Sequence, residues 1–271
     1  MDFTSTFSLN YLILIAIALV VCSVGFYRYI YFISLGYGFS IAAMGIAIPL
    51  LFLNDLSIGT IIGSALLVIY GGRLGGYLLA RELKSTSYHS IVGKEIKDSN
   101  SVKMVSKVMI WVSCALLYTL QISPLFFRLQ NGAKTDAFCI VGVIIMVGGI
   151  VMESVADAQK AKLKKQNPTR FCDTGLYKIV RCPNYFGEVI FWTGVFISGV
   201  NIYEGVWQWI AASLGYICII YIMFSGTRRI EIRQNKNYGT NAEYQAYIKK
   251  TPILLPFIPL YSVEKYKWLV A

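Results

Sequence analysis

Charge is scarce in this chain: only 14% of its 271 residues are Asp, Glu, Lys or Arg, against 56% hydrophobic, and the mean hydropathy is +0.58. Soluble globular domains carry about a quarter charged residues, so the shortage excludes that class and marks an integral membrane protein. Histidine is scarcer still. The single His89 stands in a polar loop with no Cys or acidic cluster at metal-ligand spacing, which argues against a metal site and against histidine-based catalysis; no role is assigned to it and no metal is expected. The six cysteines (Cys22, Cys114, Cys139, Cys172, Cys182, Cys218) show neither paired nor metal-type spacing and read as small packing residues. No GxGxxG follows a strand and no Walker loop occurs, so a nucleotide is not held by either device. There is no internal repeat, low-complexity tract or linker. Period-two alternation is missing too, which excludes a membrane β-barrel. Without a soluble basic domain or a recognition motif, nucleic acid is not an expected partner.

What is present is a series of long apolar runs, near residues 9–26, 29–53, 56–80, 106–127, 136–156, 186–201 and 204–226. A bilayer core of ~30 Å takes ~20 such residues per helical crossing, so the expected fold is all-α and polytopic, with seven transmembrane helices; the sixth run is short. The first run has no basic region before it and no small-residue cleavage site after it, and reads as a retained helix. Lys and Arg gather at Arg28, between runs 3 and 4, between runs 5 and 6, and after run 7, while the alternate connections are poor in them. The positive-inside bias then puts the amino terminus outside and the carboxyl terminus in the cytoplasm. The net charge of +11 is accordingly a cytoplasmic property, explained by topology and by attraction to anionic lipid. Three polar segments, 81–105, 157–185 and 227–271, fall on that face. The last begins as a plausible pair of amphipathic interfacial helices and ends in "TPILLPFIP", whose prolines forbid a continuous helix.

Within this frame a few residue types stand out. Glu153 and Asp157 are four apart and share a helix face at the cytoplasmic end of run 5. They either pair with Lys160, Lys164 and other surface cations or accept hydrogen bonds from the ribose hydroxyls or amide of a ligand. Glu188 lies where a helix enters the membrane, and intramembrane ionisable groups are functional candidates by default. In "IYGGRLGGYLLARE", the pairs Gly71/Gly75 and Gly72/Gly76 suggest close helix packing. Arg73 and Tyr77 share a face there, setting a cation beside a phenol that can donate to a carbonyl oxygen; a packed or interfacial tyrosine is the plain alternative. Arg228, Arg229 and Arg233 anchor the end of run 7 and, with Lys164 and Arg170, also make a cluster suited to a pyrophosphate.

The stretch "ESVADAQKAKLKKQNPTRFCDTGLYKIVRCPNYFGEVIFWTG" and the tail "EYQAYIKKTPILLPFIP" resemble the carboxyl-terminal region of the steroid 5α-reductase family (3-oxo-5α-steroid 4-dehydrogenase type), with a weaker likeness around Arg73 and Tyr77, as in a bacterial-like member. The resemblance implies a seven-helix membrane fold that uses NADPH to saturate the carbon–carbon double bond of a 3-oxo-Δ4 steroid or related lipid enone. It implies one membrane domain over 1–271, with 1–135 as substrate-side helices and 136–271 as the cofactor part. It further implies that Glu153, Asp157, Asn184 and Glu188 contact the cofactor, that Lys164, Arg170 and Arg228 lie near its phosphates, and that Tyr77 is the catalytic donor to the substrate carbonyl. Family members carry an acidic residue in the second helix, whereas run 2 here has none; its hydroxyls, Tyr37 among them, are candidate substitutes, and Tyr37 and Arg73 are placed with the substrate. The expected partners are a lipophilic substrate and membrane lipid. The expected location is a plasma or inner membrane in a bacterium, or the endoplasmic reticulum in a eukaryote, with the cofactor site facing the cytoplasm. The same "GLYKIVRCPNYFGE" and "EYQAY" also look like isoprenylcysteine and phospholipid-type methyltransferases, which use S-adenosylmethionine and have His where Cys182 stands. A lipid-binding or transport protein is a third reading, although transporters commonly show repeated halves and broken helices, which are missing here.

Overall fold

The computed structural model describes residues 2–84 and 102–270. His89 and most of the polar segment 81–105 lie outside the described residues. Most of those described are helical, and no strand occurs among them. The principal helices are α1 (Leu9–Cys22), α2 (Leu35–Leu51), α3 (Ile58–Lys84), α4 (Met104–Gln130), α5 (Ala137–Gln166), α6 (Pro183–Gly199), α7 (Val206–Tyr238) and α8 (Ala242–Lys250). Short 3₁₀ turns at Ser23–Phe26 and Tyr29–Phe32 join α1 to α2, and another sits at Gly175–Lys178.

Among the described residues, six stretches are long and apolar enough to cross a membrane: Leu9–Phe26, Tyr29–Leu51, Ile58–Leu83, Met104–Gln130, Ala137–Gln166 and Val206–Tyr238. The sixth expected run is α6, whose 17 residues reach about 25 Å, less than the ~30 Å hydrocarbon layer, and it is not one of the six. Two helices outrun their apolar cores. α5 continues through the lysines to Gln166. α7 runs on through Arg228, Arg229 and Arg233 to Tyr238, where a separate interfacial helix pair was expected; Glu, Arg, Lys and Gln are good helix formers and no proline interrupts them. Only the second of that pair, α8, stands alone, begun by Asn241, whose side chain accepts from Tyr244 N at 3.1 Å. No helix follows Lys250 among the described residues, as the prolines require.

The chain divides into two compact units. The first takes in the described residues to Val143 together with Val195–Tyr216; the second takes Ile144–Gly194 and the residues from Ile217 onward. In the first unit α2 and α3 touch backbone to backbone: a Cβ on Gly71 would stand 2.4 Å from Gly38 O, so the small-residue pattern Gly71/Gly75 is spent on this seam. α1 is fastened to α4 by Tyr11 and Ser123, whose hydroxyls are 2.8 Å apart, and by Trp111 Nε1 donating to Leu19 O at 2.7 Å. α4 ends at Gly132, whose φ of 63° allows the αL turn that lets Ala133 N donate to Arg128 O at 2.8 Å. Arg128 itself is fully buried. It donates to Ser198 O at 2.6 Å, to Lys134 O, and to Asp136 Oδ2 at 2.7 Å.

Candidate functional site

In the first unit two of the expected substrate-side residues, Arg73 and Tyr77, lie on one face of α3, and Tyr70 joins them there at helical spacing. Tyr70 is fully buried and shares a 3.0 Å hydrogen bond with the hydroxyl of Tyr37 on α2. The ring of Tyr37 lies 5.0 Å from that of Tyr118 on α4, whose hydroxyl donates to Phe32 O at 2.8 Å. Two phenols bonded to each other act as one polar unit, since each hydroxyl can both donate and accept. The Nε and Nη2 of Arg73 are shielded from solvent. Tyr77 is different: it is 43% exposed, and the guanidinium of Arg81 lies 5.9 Å from its ring centroid.

The acidic set belongs to the second unit. There α5 and α6 also meet backbone to backbone, since a Cβ on Gly149 would stand 2.5 Å from Phe191 N and one on Gly187 2.8 Å from Glu153 N. The seam sets Glu153 beside Gly187 and buries both carboxylate residues, Glu153 at 4% and Glu188 at 8% exposure. Asp157 follows one turn after Glu153, and Asn184 precedes Glu188 by one turn at the start of α6. Below them the loop is latched to α5: Leu176 N donates to Gln159 Oε1 at 2.9 Å, and Gly175, with φ 61°, packs where a Cβ would strike the same glutamine.

The expected phosphate ligands hold the fold. Lys164 Nζ donates to Pro168 O at 3.0 Å, Arg170 O at 2.7 Å and the Tyr238 hydroxyl at 2.9 Å, closing the turn after α5. Arg170 pairs with Asp173 at 2.9 Å and Glu243 at 3.0 Å. Arg228 donates to the carbonyls of Glu264 at 2.9 Å and Leu269 at 3.3 Å. Lys164 and Arg228 therefore keep their net charge, because these partners are neutral oxygens, whereas two carboxylates offset that of Arg170.

Three groups escaped the sequence reading. Tyr70 was legible as the residue three before Arg73 and seven before Tyr77 on the same face. Glu82, buried at the end of α3, accepts from Arg28 and from the Tyr31 hydroxyl at 3.0 Å, so an acid does meet the second apolar run, but from the third helix. The third is a buried ion pair, Arg181 to Glu231 at 3.1 Å, which a separation of fifty positions hides from any local pattern. Cys182 is buried, and its N–H donates to Ile253 O at 3.0 Å.

Comparison with known proteins gives two likenesses. The family described as a protein of unknown function (DUF1295) matches residues 13–251. Steroid 5-alpha-reductase DET2 of Arabidopsis thaliana is 29% identical over 79 residues, which cover 28% of this chain and 27% of that protein. The match thus spans about a quarter of the relative's length. No solved structure matches the chain.

Proposed function

This chain belongs to the DUF1295 family, and from that premise we propose that it is an integral membrane oxidoreductase that saturates the carbon–carbon double bond of a lipophilic enone, a 3-oxo-Δ4 steroid or a related lipid, at the expense of NADPH. The likeness to a plant steroid 5-alpha-reductase supports the reaction class. The observation that carries the reading is the buried phenol pair Tyr37–Tyr70: it sets two hydroxyls side by side within an apolar helix bundle, the group type that polarises an enone carbonyl.

The residues fit the cofactor unevenly. Glu153, Asp157, Asn184 and Glu188 supply acceptors suited to ribose hydroxyls and a carboxamide, and the uncompensated charges of Lys164 and Arg228 suit phosphates. Arg170, already paired twice, suits them less. NADPH, when bound, would supply the hydride, and water would supply the proton that the substrate's α-carbon takes up to complete saturation. The protein's part is electrostatic and positional. Tyr70 donates to the substrate's carbonyl oxygen and stabilises the negative charge that develops there, while Tyr37 holds Tyr70 in place and relays polarisation. Tyr77 and Arg73, along the same face, border the substrate. This reading takes residues 1–135 as the substrate side of a single membrane domain and 136–271 as its cofactor side. It also takes α6 as a seventh crossing, short for the layer, with the amino terminus outside and the carboxyl terminus and cofactor entry in the cytoplasm.

The test is a thermal-shift measurement on detergent-purified protein with NADPH and with S-adenosylmethionine side by side. Stabilisation by NADPH, diminished in Glu188→Ala, is the expected result. Stabilisation by S-adenosylmethionine alone overturns the reductase reading in favour of methyl transfer.

A further inference from the structure

The residues after α8 do not trail into solvent. Ile253 N donates to Leu260 O at 2.8 Å to close a proline-braced loop, and Arg181 N and Cys182 N donate to the carbonyls of Pro252 and Ile253. Beyond that loop the chain turns back along α7. Glu231 accepts from Val263 N at 2.8 Å, Arg228 donates to Glu264 O and Leu269 O, and Tyr221 donates to Trp268 O at 2.8 Å and accepts from Val270 N at 3.2 Å. Val263 is thus held at Glu231, Glu264 and Leu269 at Arg228, and Trp268 and Val270 further along α7 at Tyr221. Tyr221 lies seven residues before Arg228, about 10 Å towards the apolar part of the helix, within the crossing segment Val206–Tyr238.

The strap that descends this way has two faces. Val263 and Leu269 are buried with Ile253, Leu254 and Cys182 in one apolar cluster. On the other face Trp268 is 65% and Val270 70% exposed, and hydrogen bonds to Tyr221 at both ends hold them there, so their exposure is not fraying. The Trp268 ring stacks on Tyr221 with centroids 6.1 Å apart. Lys265 and Lys267 precede Trp268 and Val270, and the one acid of the stretch, Glu264, has its carboxylate engaged by Asn235 Nδ2 at 2.7 Å. An indole, a phenol and an aliphatic side chain at the foot of a cationic segment are the chemistry of the lipid headgroup layer, where aromatic rings sit at the boundary and lysines reach for phosphates.

We propose that residues Glu264–Val270 form an interfacial anchor, with Trp268 and Val270 immersed among the lipid headgroups of the bilayer that α7 crosses and Lys265 and Lys267 paired with lipid phosphates. The proposal stands apart from the reaction assigned above. It is tested on full-length protein reconstituted one copy per nanodisc in phosphatidylcholine and phosphatidylglycerol, with an environment-sensitive fluorophore on Val270→Cys and, for comparison, on Thr240→Cys, an exposed position in the turn before α8. The native cysteines are buried or half-buried, and labelling of the unsubstituted protein sets the background. The expected result is that iodide quenches the label at 270 several-fold less than at 240, while lipids carrying a headgroup-level nitroxide quench it strongly. Equal iodide quenching at the two positions overturns the anchor. So does protection from iodide without quenching by the nitroxide lipid, which assigns the cover to protein. If Val270→Cys lowers the melting temperature, the label is moved to Lys267→Cys, whose exposed side chain carries the same expectation.

Discussion

Tyr70 and Tyr77 share a helix face and a side chain but not an environment. The phenol of Tyr70 is buried and shares a hydrogen bond with that of Tyr37, a sheltered setting in which a donor to a developing oxyanion is worth most; that of Tyr77 is 43% exposed. Tyr70→Phe is expected to lower kcat by roughly 10²–10³-fold, the usual loss for one donor to a developing oxyanion, and Tyr77→Phe by much less. Steady-state rates of NADPH oxidation with an enone check this, and the reverse order would hand the role to Tyr77. A second residue-scale effect involves Asp136, in the connection between α4 and α5. Burial alone would raise its pKa from 3.8, but hydrogen bonds from Arg128, Cys139 N and Asn201 outweigh that and hold it at about 2. A depressed carboxyl stabilises the fold above its unfolded pKa and loses that contribution as pH falls through the folded one. Melting temperature is therefore expected to drop between about pH 4 and 2, and to drop less in Asp136→Asn. At this scale residue types were legible and partners were not: "RLQNGAKTD" displays Arg128 and Asp136, yet nothing local reveals that the guanidinium also donates to Ser198 O.

Among elements, the apolar runs were read directly because crossing a hydrocarbon layer leaves no choice but a long helix. Their ends were not, since on hydropathy the lysines after Asp157 look like a polar loop and the arginines after Gly226 like a separate interfacial helix, whereas both continue the preceding helix, as their helix propensity allows. Packing partners were half legible. The pattern Gly71/Gly75 announces a close approach without naming the helix that comes close, which is α2 at Gly38. Gly71→Ala forces a methyl against Gly38 O and is expected to destabilise the first unit by about 1–3 kcal/mol, read as a lower midpoint in detergent-induced unfolding. Asn241→Ala removes the cap of α8 at about 1 kcal/mol, with a readout in proteolysis near residue 240.

For the whole molecule the decisive contacts are long-range, and the sequence offers no period or spacing from which to read them. The Arg181–Glu231 pair joins the start of α6 to α7, and Arg181 also donates to the Tyr244 hydroxyl at 3.3 Å and to Tyr261 O at 3.0 Å, so a single guanidinium ties helix, capping turn and strap. Removing one partner of a buried pair costs about 3–5 kcal/mol, whereas replacing both with apolar residues of similar volume is close to neutral. Arg181→Met alone is thus expected to unfold the second unit readily, and Arg181→Met with Glu231→Leu to recover most of the loss; thermal denaturation of the three proteins checks it. Equal losses in the single and double variants would mean that the pair serves the strap's polar contacts more than its own charge.

The seam between α5 and α6 carries a consequence for how freely this chain can vary. Gly148 and Gly149 are adjacent, yet a methyl on the first meets nothing within 4 Å while one on the second collides with the Phe191 amide. In a library sampling all substitutions at both codons, selected only for folded protein in the membrane, position 148 would fill with alanine, leucine and valine. Its neighbour would return glycine almost alone.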